Sequence, residues 1–244
     1  MNTVDRALRL IELIVHKPMM VGEIAEALDV HKSSASRLVQ TLEAHKLLKN
    51  QNGFISPGYG ILQWAYKIQE SIDLRDIARP YIQNIAKITK GTIHLAVLDE
   101  HEVVYIDKID SIYPVRMYSS IGKRSPVYCT GVGKAILAYL PDKQVREVLE
   151  KLEYKRFTKR TITSDEELLK ELEKIRQQNL SIDNAEHEDE VRCIAAPIFN
   201  FERKVVAGMS VSITSSRSSL SELLSHKSLL LESAQAISTE LGYT

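Results

Sequence analysis

Apolar residues recur over the first 45 positions at intervals of three and four, the spacing of helices that bury one face. Residues 4–15 carry Ala7, Leu8, Ile11, Leu13 and Ile14 and predict a first helix. From residue 21 onward, Ile24, Ala25 and Leu28 make one apolar face, Val30 follows a turn, and Ala35, Leu38 and Leu42 make a second. Two short helices so patterned cross at a fixed angle, the helix-turn-helix arrangement. The turn carries Asp29, one of the few side chains that tolerate a left-handed backbone. The free side of the second helix opens with Lys32, Ser33, Ser34, Ser36 and Arg37. Cations and short hydroxyls there suit phosphates and base edges in a DNA major groove. A small bundle with a plain core is the alternative reading of the same spacing.

Beyond these helices Leu47, Leu48 and Lys49 lead to the polar tip Asn50-Gln51-Asn52-Gly53, and Phe54-Ile55 returns. This pattern predicts a hairpin, and hence a winged unit. Pro57 and Gly58 interrupt it, and residues 59–71 resume as a helix with Ile61, Leu62, Trp64, Tyr66 and Ile68. So much apolar surface is unsuited to a free linker. Burial on its own domain is one reading; joining the domains and pairing two subunits is the favoured one.

From residue 73 the texture alternates between helical and strand periods. A helix is predicted over 74–89, ending at Gly91, then strands over 92–98 and 103–109 around a turn at 99–101, and a third strand over 115–119. Helices follow over 130–140, 142–152 and 164–178, where Ser164 and Glu167 form a capping-box pattern. Strands over 191–199 and 205–213 and a helix over 220–241 complete the chain. Strands bounded by helices predict an α+β domain around one mostly antiparallel sheet. The expected organisation is a DNA-binding domain over 1–57, a linker helix over 58–72 and a second domain over 73–244.

Composition adds limits. With 244 residues, 44% apolar and 26% charged, the chain has room for two modest domains and the make-up of an ordinary globular protein. No long uncharged stretch is available to span a bilayer, and the first residues lack the basic start and apolar run of a secretory signal, so a cytoplasmic location is expected. Cys129 and Cys193 then default to reduced thiols. The 32 basic and 32 acidic residues balance, so phosphate binding has no support from whole-chain charge. Placement compensates: residues 31–41 hold two cations and no acid, while acids gather at 165–167 and 186–190. Modest, salt-sensitive DNA affinity per copy is expected, with dimerisation adding to it.

Three features of the second domain could hold a small molecule. In Thr130-Gly131-Val132-Gly133-Lys134-Ala135, glycines open a helix whose N–H groups favour an anion such as a carboxylate. The spacing is not that of a nucleotide P-loop. Residues 183–193, DNAEHEDEVRC, form a polar stretch that runs into an apolar strand, although charge runs are usually solvated faces. Ser210 and Ser212 share one face of a core strand and require partners there. Catalysis by Cys193 with His187 as base and Asp183 behind it is disfavoured, because Cys193 sits in a run that reads as buried. A zinc site from His94, His187 and Cys193 lacks ligand spacing. No cofactor or metal is called for, and an architectural DNA-binding protein without a ligand leaves the second domain unexplained.

Taken together, the winged helix-turn-helix and the segments IDLRDIARPYI, GTIHLAVLD, EVVYIDKID, CTGVGKAILAYL, RTITSDEEL, AEHEDEVRCIAAPI and AGMSVSI resemble the IclR family of transcriptional regulators over essentially the whole chain. Within it, KIDSIYPVRMYS and LEYKRFTKRTITS look like the branch that includes the 2-keto-3-deoxygluconate repressor. The resemblance implies a GAF-like effector domain that binds a small organic acid, with dimers or dimers of dimers acting on palindromic double-stranded operators. Residue by residue, it implies an effector pocket of Met117, Gly131, Val132, Asp183, Cys193, Ser210 and Ser212. Gly131 and Val132 N–H groups would take the carboxylate, the serines would donate to carboxylate or keto oxygens, and Asp183 would accept from hydroxyls. Arg116 and Arg192 neighbour pocket residues in strands, so alternation points them away. This chain departs from many relatives at Asn184 and Ala185, where they carry acids.

Overall fold

The computed structural model describes residues 2–71, 73–113 and 117–244, the side chains of 68–71 excepted, and divides into two units, residues 1–72 and 73–244. In the first, Asn2 and Asp5 each accept the other's backbone N–H and so fix the start of α1 (Thr3–His16). A two-residue strand β1 (Met19–Met20) precedes α2 (Val21–Ala27), and Asp29 turns the chain at φ 50° into α3 (Lys32–Ala44). Leu10, Ile14, Ile24, Ala25 and Leu28 pack there against Ala35, Val39 and Leu42. The buried stripe of α3 thus includes Val39, while Leu38, expected in it, is only partly buried.

The wing is β2 (Leu48–Gln51) and β3 (Phe54–Pro57), with β1 added on the far side of β3. Asn50 and Gln51 pair with Ile55 and Phe54, so the tip is shorter than expected: Asn52 and Gly53 alone turn, at φ 55° and 87°. A two-residue turn with both φ values positive matches the twist of the strands it joins. The helix α4 (Gly60–Ser71) follows, with Ile61 packed on the core and Leu62, Trp64 and Tyr66 exposed. Gly60 is required there, since a Cβ would stand 2.7 Å from the Lys46 carbonyl oxygen.

The second unit begins with α5 (Leu74–Thr89), β4 (Thr92–Asp99) and β5 (Glu102–Ile109). The left-handed residue ending α5 is Lys90, at φ 55°, not Gly91; Gly91 instead allows close approach, a Cβ there falling 3.0 Å from the Ser212 carbonyl oxygen. Of the strand expected over 115–119, residues 115 and 116 lie outside the described residues. Residues 117–119 are a loop, held by Ser119 N–H on the Met117 carbonyl and by Lys108 Nζ on the Ser119 carbonyl at 2.7 Å. The edge strand is β6 (Arg124–Pro126), three residues too short to show a period.

There follow α6 (Gly131–Leu137), α7 (Asp142–Leu149), α8 (Asp165–Gln178), β7 (Ser181–Asn184), β8 (Val191–Phe199) and β9 (Val205–Thr214). The long C-terminal helix breaks at residues 225–226 into α9 (Leu220–Leu224) and α10 (Lys227–Glu240). The sheet is antiparallel throughout, in the order β6-β5-β4-β9-β8-β7. One face, with Ile93, Leu95, Ile194, Met209 and Val211, buries against α5 and α10. The other is covered by α6 with α7 and α8 outside it. No helix among the described residues is long and apolar enough to cross a membrane.

Candidate functional site

The face of the sheet beneath α6 is unusual in what its strands present. Thr92, His94 and Ala96 of β4 lie opposite Ser212, Ser210 and Gly208 of β9. Those residues in turn face Cys193, Ala195 and Pro197 of β8, and Asp183 of β7 lies opposite Cys193. Small and polar side chains therefore run across four strands on the face where a core would normally be apolar. They leave room for α6 to come close: a Cβ on Gly131 would stand 2.7 Å from Cys193 Sγ, and one on Gly208 3.0 Å from the Val132 carbonyl oxygen.

Between the start of α6 and this face lies a small cavity, of about 40 Å³, and Met117, Gly131, Val132, Asp183, Cys193, Ser210 and Ser212 all border it. Met117 reaches it from the loop rather than from a strand. Arg192 takes the opposite side of β8, where Nη1 donates to the Ser218 carbonyl. Arg116 lies outside the described residues. Thr130 caps α6, its Oγ1 accepting the Gly133 N–H, while the helix itself uses neither the Gly131 nor the Val132 N–H.

The structure adds Tyr105, which motif reading missed, and places in the lining His94, which the sequence offered only as a metal ligand. His94 is buried, with Nε2 2.8 Å from Ser119 Oγ and Nδ1 3.5 Å from both Ser210 and Ser212 Oγ. Burial first, and then Lys108, push it down to about 3, so the imidazole is neutral and exchanges hydrogen bonds with hydroxyls. The Tyr105 ring stacks obliquely 4.8 Å away, and burial raises its phenol to about 12. The alternation Thr92, His94, Ala96 inside an otherwise apolar strand was the available signal.

Asp183 is a buried member of the lining. Its Oδ1 accepts the Glu186 N–H at 2.8 Å. Behind it Lys134, with no solvent exposure at all, places Nζ 2.6 Å from both Glu186 carboxylate oxygens and 2.7 Å from the Ile182 carbonyl, with Glu171 Oε1 at 3.8 Å. Ala185 between them is left-handed, at φ 63°, a conformation that costs an L side chain about 1–2 kcal/mol. Thr158 and Thr161 hold this turn by donating to the Ala185 and Glu186 carbonyls, each at 2.7 Å. The acidic stretch is thus only partly a solvated face: Asp183 and Glu186 are buried, and Asp189 and Glu190 are exposed. Burial raises the Cys193 thiol to about 12 and lowers His187, so neither is poised as nucleophile or base.

In the first unit, Lys32, Ser33, Ser34 and Arg37 stand exposed on α3 and Ser36 is partly buried. His31 caps the helix, its Nδ1 accepting the Ser33 N–H and lying 2.8 Å from Ser33 Oγ.

A winged helix-turn-helix followed by an α+β domain with a polar cavity defines a transcriptional regulator. The family described as "IclR helix-turn-helix domain" matches residues 3–51, and "Bacterial transcriptional regulator IclR C-terminal" matches residues 66–239. The chain belongs to the IclR family. It is similar to the HTH-type transcriptional regulator KdgR of Escherichia coli K12, 37% identical over 225 residues that span 91% of this chain and 86% of that protein. Among solved structures it is similar to the Agobacterium tumefaciens repressor BlcR, with TM-score 0.81, 27% identity and coverage of 99% and 97% of the two chains. The C-terminal domain of the E. coli regulator KdgR matches at TM-score 0.64 and 42% identity, covering 70% of this chain and 100% of that one. These relatives are DNA-binding regulators, and this chain is one of them rather than an enzyme.

Proposed function

We propose that the protein is a repressor whose operator affinity is set by a small keto acid or sugar acid held in the cavity under α6. The observation that carries this is the convergence on one cavity of two N–H groups without an acceptor among the described residues, two buried serine hydroxyls and a buried carboxyl. Gly131 and Val132 would receive the acid group, Ser210 and Ser212 its carboxylate or keto oxygens, and Asp183 its hydroxyls. Lys32, Ser33, Ser34, Ser36 and Arg37 would contact the operator, with the Asn52-Gly53 tip on the flanking backbone. Residues 1–57 serve as the DNA-binding domain, 58–72 as a linker helix and 73–244 as the effector domain. The exposed Leu62, Trp64 and Tyr66 of α4 suit pairing of two subunits, in a dimer or a dimer of dimers on a palindromic site. The ligand shifts the balance between two spacings of the recognition helices by its different affinity for each.

The test is a thermal-shift panel of keto and sugar acids, 2-keto-3-deoxygluconate among them. A ligand at about 100 times its Kd should stabilise the protein by about 2.7 kcal/mol. A shift with one acid supports the sensor; no shift with any acid contradicts it.

A further inference from the structure

The cavity that Proposed function assigns to an organic acid holds no lysine or arginine among its described lining residues. Its ionisable groups are Asp183, Glu188, His94, His187, Tyr105 and Cys193. Among the described residues the nearby cations are engaged elsewhere, Lys123 on the Tyr118 carbonyl. Lys134 is bonded to both oxygens of Glu186 and to the Ile182 carbonyl, and Lys108 to Asp110 at 2.7 Å and the Ser119 carbonyl. Among the described residues, an anion entering this space therefore meets neutral donors, the partly buried Glu188 and the carboxyl of Asp183, which is 4% exposed and has no ion-pair partner there. Two negative charges side by side in a site shielded from water do not both persist; one of them takes a proton.

We infer that the effector acid binds as a carboxylate against a protonated Asp183, so that binding above neutral pH takes up a proton at that residue. The proton does what a basic side chain would do elsewhere: it admits the anion, and it turns Asp183 from an acceptor into a hydrogen-bond donor. The inference rests on the organic-acid reading and changes one contact in it: Asp183 donates to the ligand's carboxylate instead of accepting from its hydroxyls.

The surroundings favour this from each element packed against Asp183. The Glu186 carboxylate in the following turn, and burial above all, raise Asp183 to about 7, against the opposing effects of Lys134 on α6 and of the Glu186 and His187 N–H groups. Cys193 on β8, Cys129 before α6 and Tyr105 on β5 are all raised and neutral, so none supplies a charge. His94 on β4 is neutral as well. The sign follows. Asp183 is protonated below about 7, so acid binding is strongest there and weakens as pH rises, with Kd about tenfold larger at pH 8 than at pH 6. A ligand that only offered a hydroxyl to the ionised Asp183 would show the opposite trend.

Isothermal titration of the full chain with 2-keto-3-deoxygluconate at pH 7.5, in phosphate and in Tris, counts the protons directly from the difference in buffer ionisation heat. The expected result is uptake of about three-quarters of a proton per ligand, the share of Asp183 that is ionised before binding at this pH. No uptake, or release, overturns the inference while leaving the sensor intact. If neither this acid nor any other in the panel gives binding heat, the organic-acid reading falls and the inference with it. Asp183→Asn, a neutral mimic of the protonated acid, is expected to bind with no proton uptake and a flat profile between pH 6 and 8; a profile still falling tenfold would place the proton elsewhere. Should that variant not fold, the wild-type count decides alone.

Discussion

Lys134→Met is expected to destabilise the C-terminal unit by about 3–5 kcal/mol, the cost of removing one member of a buried ion pair and stranding the other. Lys134 is wholly buried, and its three donors satisfy Glu186 and the Ile182 carbonyl; methionine of similar length fills the space and satisfies neither. Glu186, raised already by burial, would be raised further without its partner. A carboxyl with a folded-state pKa above its unfolded value stabilises when protonated and loses that contribution as pH rises. The deficit should therefore be larger at pH 7.5 than at pH 5.5. Urea unfolding at both values measures it, and Lys134→Met with Glu186→Leu should recover part of the loss, since an apolar pair leaves no charge behind. A deficit under about 1 kcal/mol, or one that grows toward acid pH, would contradict this account of the cluster.

Arg37→Ala is expected to weaken operator binding by about 1–3 kcal/mol for each recognition helix engaged. Arg37 and Lys32 are the two cations on the exposed side of α3, and nothing acidic stands among residues 31–41 to offset them. Two uses of Arg37 can be separated by measuring affinity for the operator and for single-base variants over a range of salt. If it reads a guanine edge, one position loses its preference. If it holds a phosphate, all sequences weaken together and the salt slope falls by about 1. Unchanged affinity for every sequence would remove α3 as the reading helix.

The parts of the fold that were legible in the sequence share a simple physical basis. Helices α1 to α3 show their periods because one face meets a core and the other does not, and β8 and β9 show as nearly continuous apolar runs because helices cover both faces of their sheet. Asp29 showed its turn because few residues accept a left-handed backbone. On α3 the period alone could not choose between adjacent Leu38 and Val39, and the crossing of the helices buried Val39. Strand β7 was hidden because four residues are too few for a period and Asp183 begins a run of acids. The loop at residues 117–119 looked like a strand from its apolar and hydroxyl residues, but its hydrogen bonds go to the Lys108, Lys123 and His94 side chains and to itself rather than to a ladder.

In the cavity, the seven residues carried over from the family resemblance come together, while His94 and Tyr105 enter from strands read only as sheet. Least legible was Lys134. A lysine in the first turn of a helix reads as a surface charge, and its partner Glu186 lies 52 residues away in a stretch that composition assigns to solvent. Only the fold, which lays α6 against β7 and β8, brings them together.

A ligand in this cavity is expected to control DNA affinity. The most direct measurement is fluorescence anisotropy of the full chain on a DNA fragment selected by the protein from a random library, titrated with the acid that stabilises it. A change in DNA Kd of about 5- to 150-fold at saturating acid, the range of a coupling free energy of 1–3 kcal/mol, is the predicted result. An acid that occupies the cavity and leaves DNA affinity unchanged would contradict it.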